Sequence, residues 1–320
     1  MSLPPELQDF LLKETDPSVQ YRVLRFLLDR PEDDPEVQTA REQIGRAGWV
    51  AQIMRTHQPE GQWDTAGTSA RDLYTPKYIS TNWRLLVLSD LGVTRAFPGI
   101  EPSVRLFLNR FSTEEDGLGG KDSEVCFTGN AVRMLVRLGF QEEPLVRKSI
   151  DWLLKTQLAD GGWHCDPSAT QGTLDCWEAL AAFATLPPQL RTEGVRRSIE
   201  RGAEFYLERG LWHEGSTTYA PWLRWHYPTH YYYDLLVGLD VLTALGYATD
   251  PRIRPALQLL EERRNSNGSW NLDAQHPDVS PEESYQPRTP IYPFVLELAD
   301  RPSRWITTTA AIVLQRSGRL

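Results

Sequence analysis

The stretch LLKTQLADGGWHC, residues 153–165, reads as the end of a helix, a tight glycine turn and a tryptophan, with a histidine and a cysteine directly behind. Leu153 and Leu154 continue an apolar face begun at Val146 and Ile150, at helical spacing. Pro144 suits the first turn of that helix. Gly161 and Gly162 end the unit, and Trp163 follows them.

The pattern recurs. GQW ends at Trp63, GGW at Trp163, GLW at Trp212 and GSW at Trp270, while GLGGK fills the same slot at Lys121 without the tryptophan. A second marker moves with the first: helices stop at LG at Gly92, Gly139 and Gly246, and at LP at Pro187. Trp163 and Trp212 are 49 positions apart, and Gly139 and Pro187 are 48 apart. The next intervals are 58 and 59. Two markers in step define a repeat of helical hairpins. The expected units are 18–64, 79–122, 126–166, 174–215 and 231–273, with helices at 4–13 and 304–317 left over. Pairing those two closes six hairpins into a ring, one domain over 1–320, with no open end to cap. The proline-rich stretch 274–294 is expected to be an ordered loop, with Tyr285, Tyr292 and Phe294 to bury.

Composition narrows the function. The chain has 320 residues, 40% hydrophobic and 24% charged, with a net charge of -9. No basic stripe interrupts that acidity, which argues against nucleic acid. No run of 18 apolar residues exists, so no transmembrane segment is expected. Three cysteines are an odd number and fit free thiols or a metal site in a reducing compartment; the reading is cytoplasmic.

The stretch KSIDWLLKTQLADGGW resembles the QW repeat of squalene–hopene and oxidosqualene cyclases. Lys148, Trp152, Leu153, Gln157, Gly161 and Trp163 fit its pattern of basic residue, aromatic, aliphatic, then Gln-x-x-x-Gly-x-Trp; Ser149 stands where Gly or Ala is usual. RGAEFYLERGLW keeps Arg201, Gly202, Phe205 and Trp212 but is about one turn shorter. The resemblance implies an all-α, (α/α)6 toroid shared by terpenoid cyclases and protein prenyltransferase β subunits. It also implies that Trp163 is structural, its burial contributing about 2–3 kcal/mol.

The chemistry is less complete. Class II terpene cyclases protonate their substrate from a D-x-D-D motif, which this sequence lacks, and PEDDPE at 31–36 does not have the D-D-x-x-D spacing of class I synthases. In a toroid, the N-termini of the helices that follow each glycine turn share one rim, where unpaired N–H groups favour an anion or a thiolate. Those segments carry Lys77, Cys126, His164, Cys165, Asp175, Cys176, His226 and His230, with Trp83, Trp177, Trp225, Tyr231 and Tyr232 as a candidate aromatic wall for an apolar substrate. Asp175, Asp234 and His230 are the candidate catalytic groups. Cys126, Cys165 and Cys176 with His230, or with His164 in its place, are a candidate zinc set.

Three readings follow. The first is an enzyme that binds or transforms an isoprenoid or similar apolar molecule without D-x-D-D protonation. The second is a zinc-dependent transferase resembling prenyltransferase β subunits, which would need a protein partner; here Asp175 and Cys176 are adjacent, where that family has Asp-x-Cys. The third is a non-catalytic toroid that binds lipid or peptide.

Overall fold

The structure, a computed structural model, describes residues 3–63, 69–113, 117–118, 124–215, 218–275 and 294–320. The chain is all-α, as the repeat predicts. Its helices are α1 Pro5–Leu12, α2 Pro17–Arg22 with a π-helical turn at Val23–Leu27, α3 Pro35–Gln43, α4 Gly48–Met54, α5 Ala70–Tyr74, α6 Thr81–Asp90, α7 Ile100–Phe111, α8 Val125–Arg137, α9 Pro144–Lys155, α10 Glu178–Thr185, α11 Glu193–Glu208, α12 Leu235–Ala244, α13 Arg254–Glu262 and α14 Arg304–Arg316. Two short antiparallel ladders accompany them: β1 Ser112–Thr113 with β2 Gly117–Leu118, and β3 Trp270–Leu272 with β4 Arg301–Ser303. No helix among the described residues is long and apolar enough to cross a membrane. Most of the expected loop at 274–294, with Tyr285 and Tyr292, lies outside the described residues, as do Gly119, Gly120 and Lys121; Phe294 is buried.

The chain forms two compact units. One comprises Met1–Arg55, Gly210–Thr229 and Asp234–Leu320; the other comprises Thr56–Arg209 and His230–Tyr233.

In the first unit, α14 packs against α1, α2, the π turn and α12. Arg304 Nε donates to the carbonyl of Phe10 at 3.0 Å, tying the terminal helices together. Caps set the helix starts. Asp16 accepts from Ser18 N–H, and Asp34, one of the acids of PEDDPE, accepts from Glu36 and Val37 N–H.

In the second unit, α6 packs on α8, α8 on α10, and each of these helices on the one that follows it. The α8–α10 approach is close because position 129 is glycine: a Cβ there would lie 2.5 Å from the backbone carbon of Glu178.

The glycine turn has one geometry in three copies. Leu158 N–H bonds the Gly162 carbonyl at 2.9 Å and Gly161 N–H bonds Leu158 at 3.0 Å. Gln58, Gly61 and Gln62 repeat both bonds, and so do Asn265, Gly268 and Ser269. Gly61, Gly161 and Gly268 all have φ between 86° and 101°, where a side chain is strained. Trp63, Trp163 and Trp270 after these turns are fully buried. The Trp163 indole N–H reaches back ten residues to the Leu153 carbonyl at 2.9 Å, and Trp270 does the same to Leu260 at 2.7 Å. The tryptophan therefore closes the last turn of the helix before it. Trp212 departs from this set: it is half-exposed against His213, and Leu211 takes the positive φ and the buried place. The missing helical turn leaves the Trp212 indole no equivalent carbonyl.

Candidate functional site

The chemistry-bearing residues of the second unit gather where the segment His230–Tyr233 meets α6, α8 and α10. That segment is held by its backbone. Asn130 Nδ2 of α8 donates to the His230 carbonyl at 3.0 Å, and the Trp177 indole N–H donates to the Tyr231 carbonyl at 3.3 Å. His230 and Tyr78 both adopt positive φ, at 44° and 67°. Neither is a glycine, so surrounding contacts hold both in a disfavoured backbone region. Their rings lie 5.0 Å apart.

Around this pair is an aromatic cluster. Trp83 sits 5.3 Å from Tyr78, 5.5 Å from His230 and 5.8 Å from Tyr231 by ring centroid. Tyr74 is 5.1 Å from Trp83 and 5.5 Å from Phe127. The Trp83 indole N–H is satisfied by the Tyr74 carbonyl at 2.8 Å. Three phenols meet: Tyr78 donates to Tyr231 at 2.8 Å, lies 2.7 Å from Tyr232, and Tyr231 and Tyr232 are 3.3 Å apart. Trp83 and Tyr78 are buried, while Tyr74, Phe127, Tyr231 and Tyr232 are half-exposed. The cluster is therefore a buried aromatic floor with a partly open rim.

The three cysteines lie together in the same unit. Cys165, in the loop behind Trp163, is the acceptor at the centre. The Cys126 backbone N–H, in the first turn of α8, donates to its sulfur at 3.4 Å, and the Cys176 thiol donates at 3.5 Å. The Cys126 thiol donates to Glu124 Oε2 at 3.6 Å. These donors hold the Cys165 thiol well below its ordinary range, with His164 adding a smaller effect of the same sign. Cys126 and Cys176, as the donors, are pushed up.

Next to them is Glu178, the first residue of α10 and fully buried. Neither carboxyl oxygen has a hydrogen-bond partner among the described residues. Burial pushes its pKa well above the carboxylate range, the Cys165 charge pushes it further, and the Arg133 guanidinium only partly offsets this. Arg133 is buried on α8 and lies 4.8 Å over the Trp177 ring. Sequence reading missed both residues. Glu178 was visible as the one acid opening the apolar run EALAAFATLP, two positions after Cys176.

The other expected site residues are placed as follows. Among the described residues no group of three or more His, Cys, Asp or Glu side chains is placed to hold a metal ion. Of the expected zinc set of Cys126, Cys165, Cys176 and His230, the Cys165 sulfur accepts from the Cys176 thiol and the Cys126 backbone N–H, while the His230 ring packs on Tyr78 and Trp83. His164, the alternative, accepts from Asp166 N–H at 2.9 Å through Nδ1. Asp175 is exposed at the start of the turn into α10. Asp234 and Trp225 belong to the first unit. Asp234 is the N-cap of α12, accepting from Val237 N–H, and its other oxygen binds the His226 backbone N–H and ring Nδ1 at 3.1 and 2.7 Å. Those bonds occupy the carboxylate and make it a structural hub. The Trp225 face read as a ligand wall is covered by Arg263, 3.9 Å from the ring centroid.

No family model matches the chain. A squalene–hopene cyclase from Bradyrhizobium diazoefficiens is 30% identical over 111 residues, which cover 32% of this chain and 17% of the cyclase. A type II terpene cyclase variant from Scytonema, solved with merosterolic acid A, is 16% identical over 95% of this chain and 88% of its own, with a TM-score of 0.46. A GH76A α-1,6-mannanase from Salegentibacter is 11% identical over 98% and 96% of the two chains, with a TM-score of 0.47. At those scores the superpositions bring neither substrate nor reaction to this chain. In sequence, about a third of the chain is terpenoid cyclase-like.

Proposed function

We propose that the protein binds an apolar, isoprenoid-type molecule on the aromatic cluster of its second unit. The observation that carries the reading is the half-exposed rim of Tyr74, Phe127, Tyr231 and Tyr232 over the buried Trp83 and Tyr78. Ring faces favour a hydrocarbon chain, and they also favour a carbocation. The local sequence similarity to a squalene–hopene cyclase supports the same ligand class. Proton-initiated cyclisation needs a strong donor, and the sequence has no D-x-D-D motif. Glu178 does not replace that motif: burial raises its pKa, which makes it a weaker proton donor, and its carboxyl is fully buried away from the half-exposed rim. The aromatic cluster binds and orients the ligand.

The test is direct. Squalene and geranylgeraniol are titrated into the full chain, with tryptophan fluorescence and native mass spectrometry as readouts, and the mixtures are extracted for product analysis. Saturable binding is expected, weakened roughly ten- to a hundredfold by Tyr231→Ala with Tyr232→Ala, for about 1–3 kcal/mol of lost aromatic contact. Absence of saturable binding by both molecules, or binding unchanged in the double variant, rules the reading out.

A further inference from the structure

The cysteine trio has no part in the isoprenoid reading, yet its geometry is organised. One sulfur accepts from the other two residues: Cys165 takes the Cys126 backbone N–H at 3.4 Å and the Cys176 thiol at 3.5 Å. The Cys126 N–H belongs to the N-terminus of a 13-residue helix, whose dipole favours negative charge. Beside the trio lies the fully buried Glu178, with neither oxygen partnered among the described residues. Cys165 and Cys126 are half-buried, so a small reagent can reach the acceptor sulfur, while Cys176 is only 4% exposed. All three thiols are reduced.

We propose that Cys165 is a reactive thiolate that reduces small hydroperoxides, and that Cys176 resolves the product as a Cys165–Cys176 disulfide. In the first step the Cys165 sulfur attacks one peroxide oxygen. An S–O bond forms, the O–O bond breaks, and the second oxygen leaves as an alcohol, or as water from hydrogen peroxide, with a proton from solvent. Cys165 is oxidised to a sulfenic acid and the peroxide is reduced. In the second step the Cys176 sulfur attacks the Cys165 sulfur. An S–S bond forms, the S–O bond breaks, and the hydroxyl leaves as water with the Cys176 proton. The sulfurs have to close from 3.5 Å to about 2.05 Å, a movement that side-chain rotation of the loop residue Cys165 covers. Cys176 is the resolving residue because its thiol points at Cys165 alone among the bonds of the trio, whereas the Cys126 thiol donates to Glu124. The site does not depend on any isoprenoid ligand.

The experiment uses the reduced full chain. Iodoacetamide labelling at mildly acidic pH, followed by peptide mapping, is expected to mark Cys165 about tenfold faster than Cys126 or Cys176. Hydrogen peroxide alone is then expected to produce a Cys165–Cys176 cross-linked peptide. Cys176→Ser is expected to leave a sulfenic acid on Cys165 that dimedone traps, and Cys165→Ser to abolish both products, with circular dichroism reporting the fold of each variant. The proposal is overturned if the wild-type thiols label at equal rates, if peroxide leaves all three free, or if the cross-link joins Cys126 instead of Cys176. The first two results need no variant to fold.

Discussion

Gln157 and Ser198 are bonded twice: the Gln157 amide N–H donates to the Ser198 carbonyl at 2.9 Å, and the Ser198 hydroxyl donates back to the amide oxygen at 2.9 Å. The same amide nitrogen also donates to the Gly161 carbonyl of its own turn at 2.8 Å. One side chain thus joins the end of α9, the glycine turn and the middle of α11. Glutamine is required because it carries both donors and an acceptor at the end of a flexible stem.

Gln157→Ala is therefore expected to destabilise the fold by about 1–3 kcal/mol, because it strands two buried carbonyls and the Ser198 hydroxyl. Urea unfolding of the variant against wild type measures it. A change within experimental error would show that water replaces the bridge.

Gly161→Ala is expected to be worse tolerated. Gly161 has a φ of 90°, and a Cβ there would lie 2.3 Å from the Arg201 carbonyl oxygen. Backbone strain and a backbone clash add, so a loss of more than about 3 kcal/mol is expected. Gly246 makes the control: its φ is 99°, but a Cβ would meet nothing within 4 Å. Gly246→Ala is expected to cost about 1 kcal/mol, for strain alone. Equal thermal shifts for the two variants would refute the role of the α11 contact.

These residues show what the sequence made legible. The turn repeat was readable because it rests on local chemistry: a positive φ needs glycine, and an indole ten residues past a carbonyl closes one helical turn. The expectation that the cysteines lie near one another came from the repeat: Cys126 and Cys176 open corresponding helices of consecutive units, and Cys165 lies in the loop that joins those units. The acid was not legible. Glu178 acquires its character from burial and from Cys165, thirteen positions away, which no local pattern encodes. Asp234 misled in the opposite direction. An acid at the head of an apolar helix looks functional, but it is the N-cap that such a helix needs. Fold follows short-range rules, and a titration state follows tertiary environment.

Asp234→Ala tests that last reading. Asp234 and His226 are buried at 1% and 2% exposure and joined at 2.7 Å. Removing the carboxylate leaves the His226 ring and backbone N–H and the Val237 N–H without their acceptor. A loss of about 3–5 kcal/mol is expected, or failure to fold. Asp234→Asn keeps an acceptor oxygen and is expected to recover about half of that loss. If Asp234→Ala folds with wild-type stability, the residue is not the structural hub described above.

Glu178 makes a prediction about pH. Its carboxyl is raised in the folded chain, by burial first and by the Cys165 charge second. As pH rises through the ordinary carboxylate range, the unfolded chain releases this proton and the folded chain keeps it. The folded state then binds more protons than the unfolded one, so unfolding becomes easier with each further rise in pH. The trend continues until the folded-state carboxyl itself ionises. One group contributes a slope of at most about 1.4 kcal/mol per pH unit. Glu178→Gln has the same size and no proton to lose, so it is expected to lack that slope. Below the carboxylate range the variant and wild type should be close in stability. Towards neutral and alkaline pH the variant should become progressively the more stable of the two. Urea unfolding across the pH series, read by tryptophan fluorescence, measures the difference. Parallel curves for the two proteins would mean that Glu178 ionises alike in the folded and unfolded chains, and that burial does not raise its pKa.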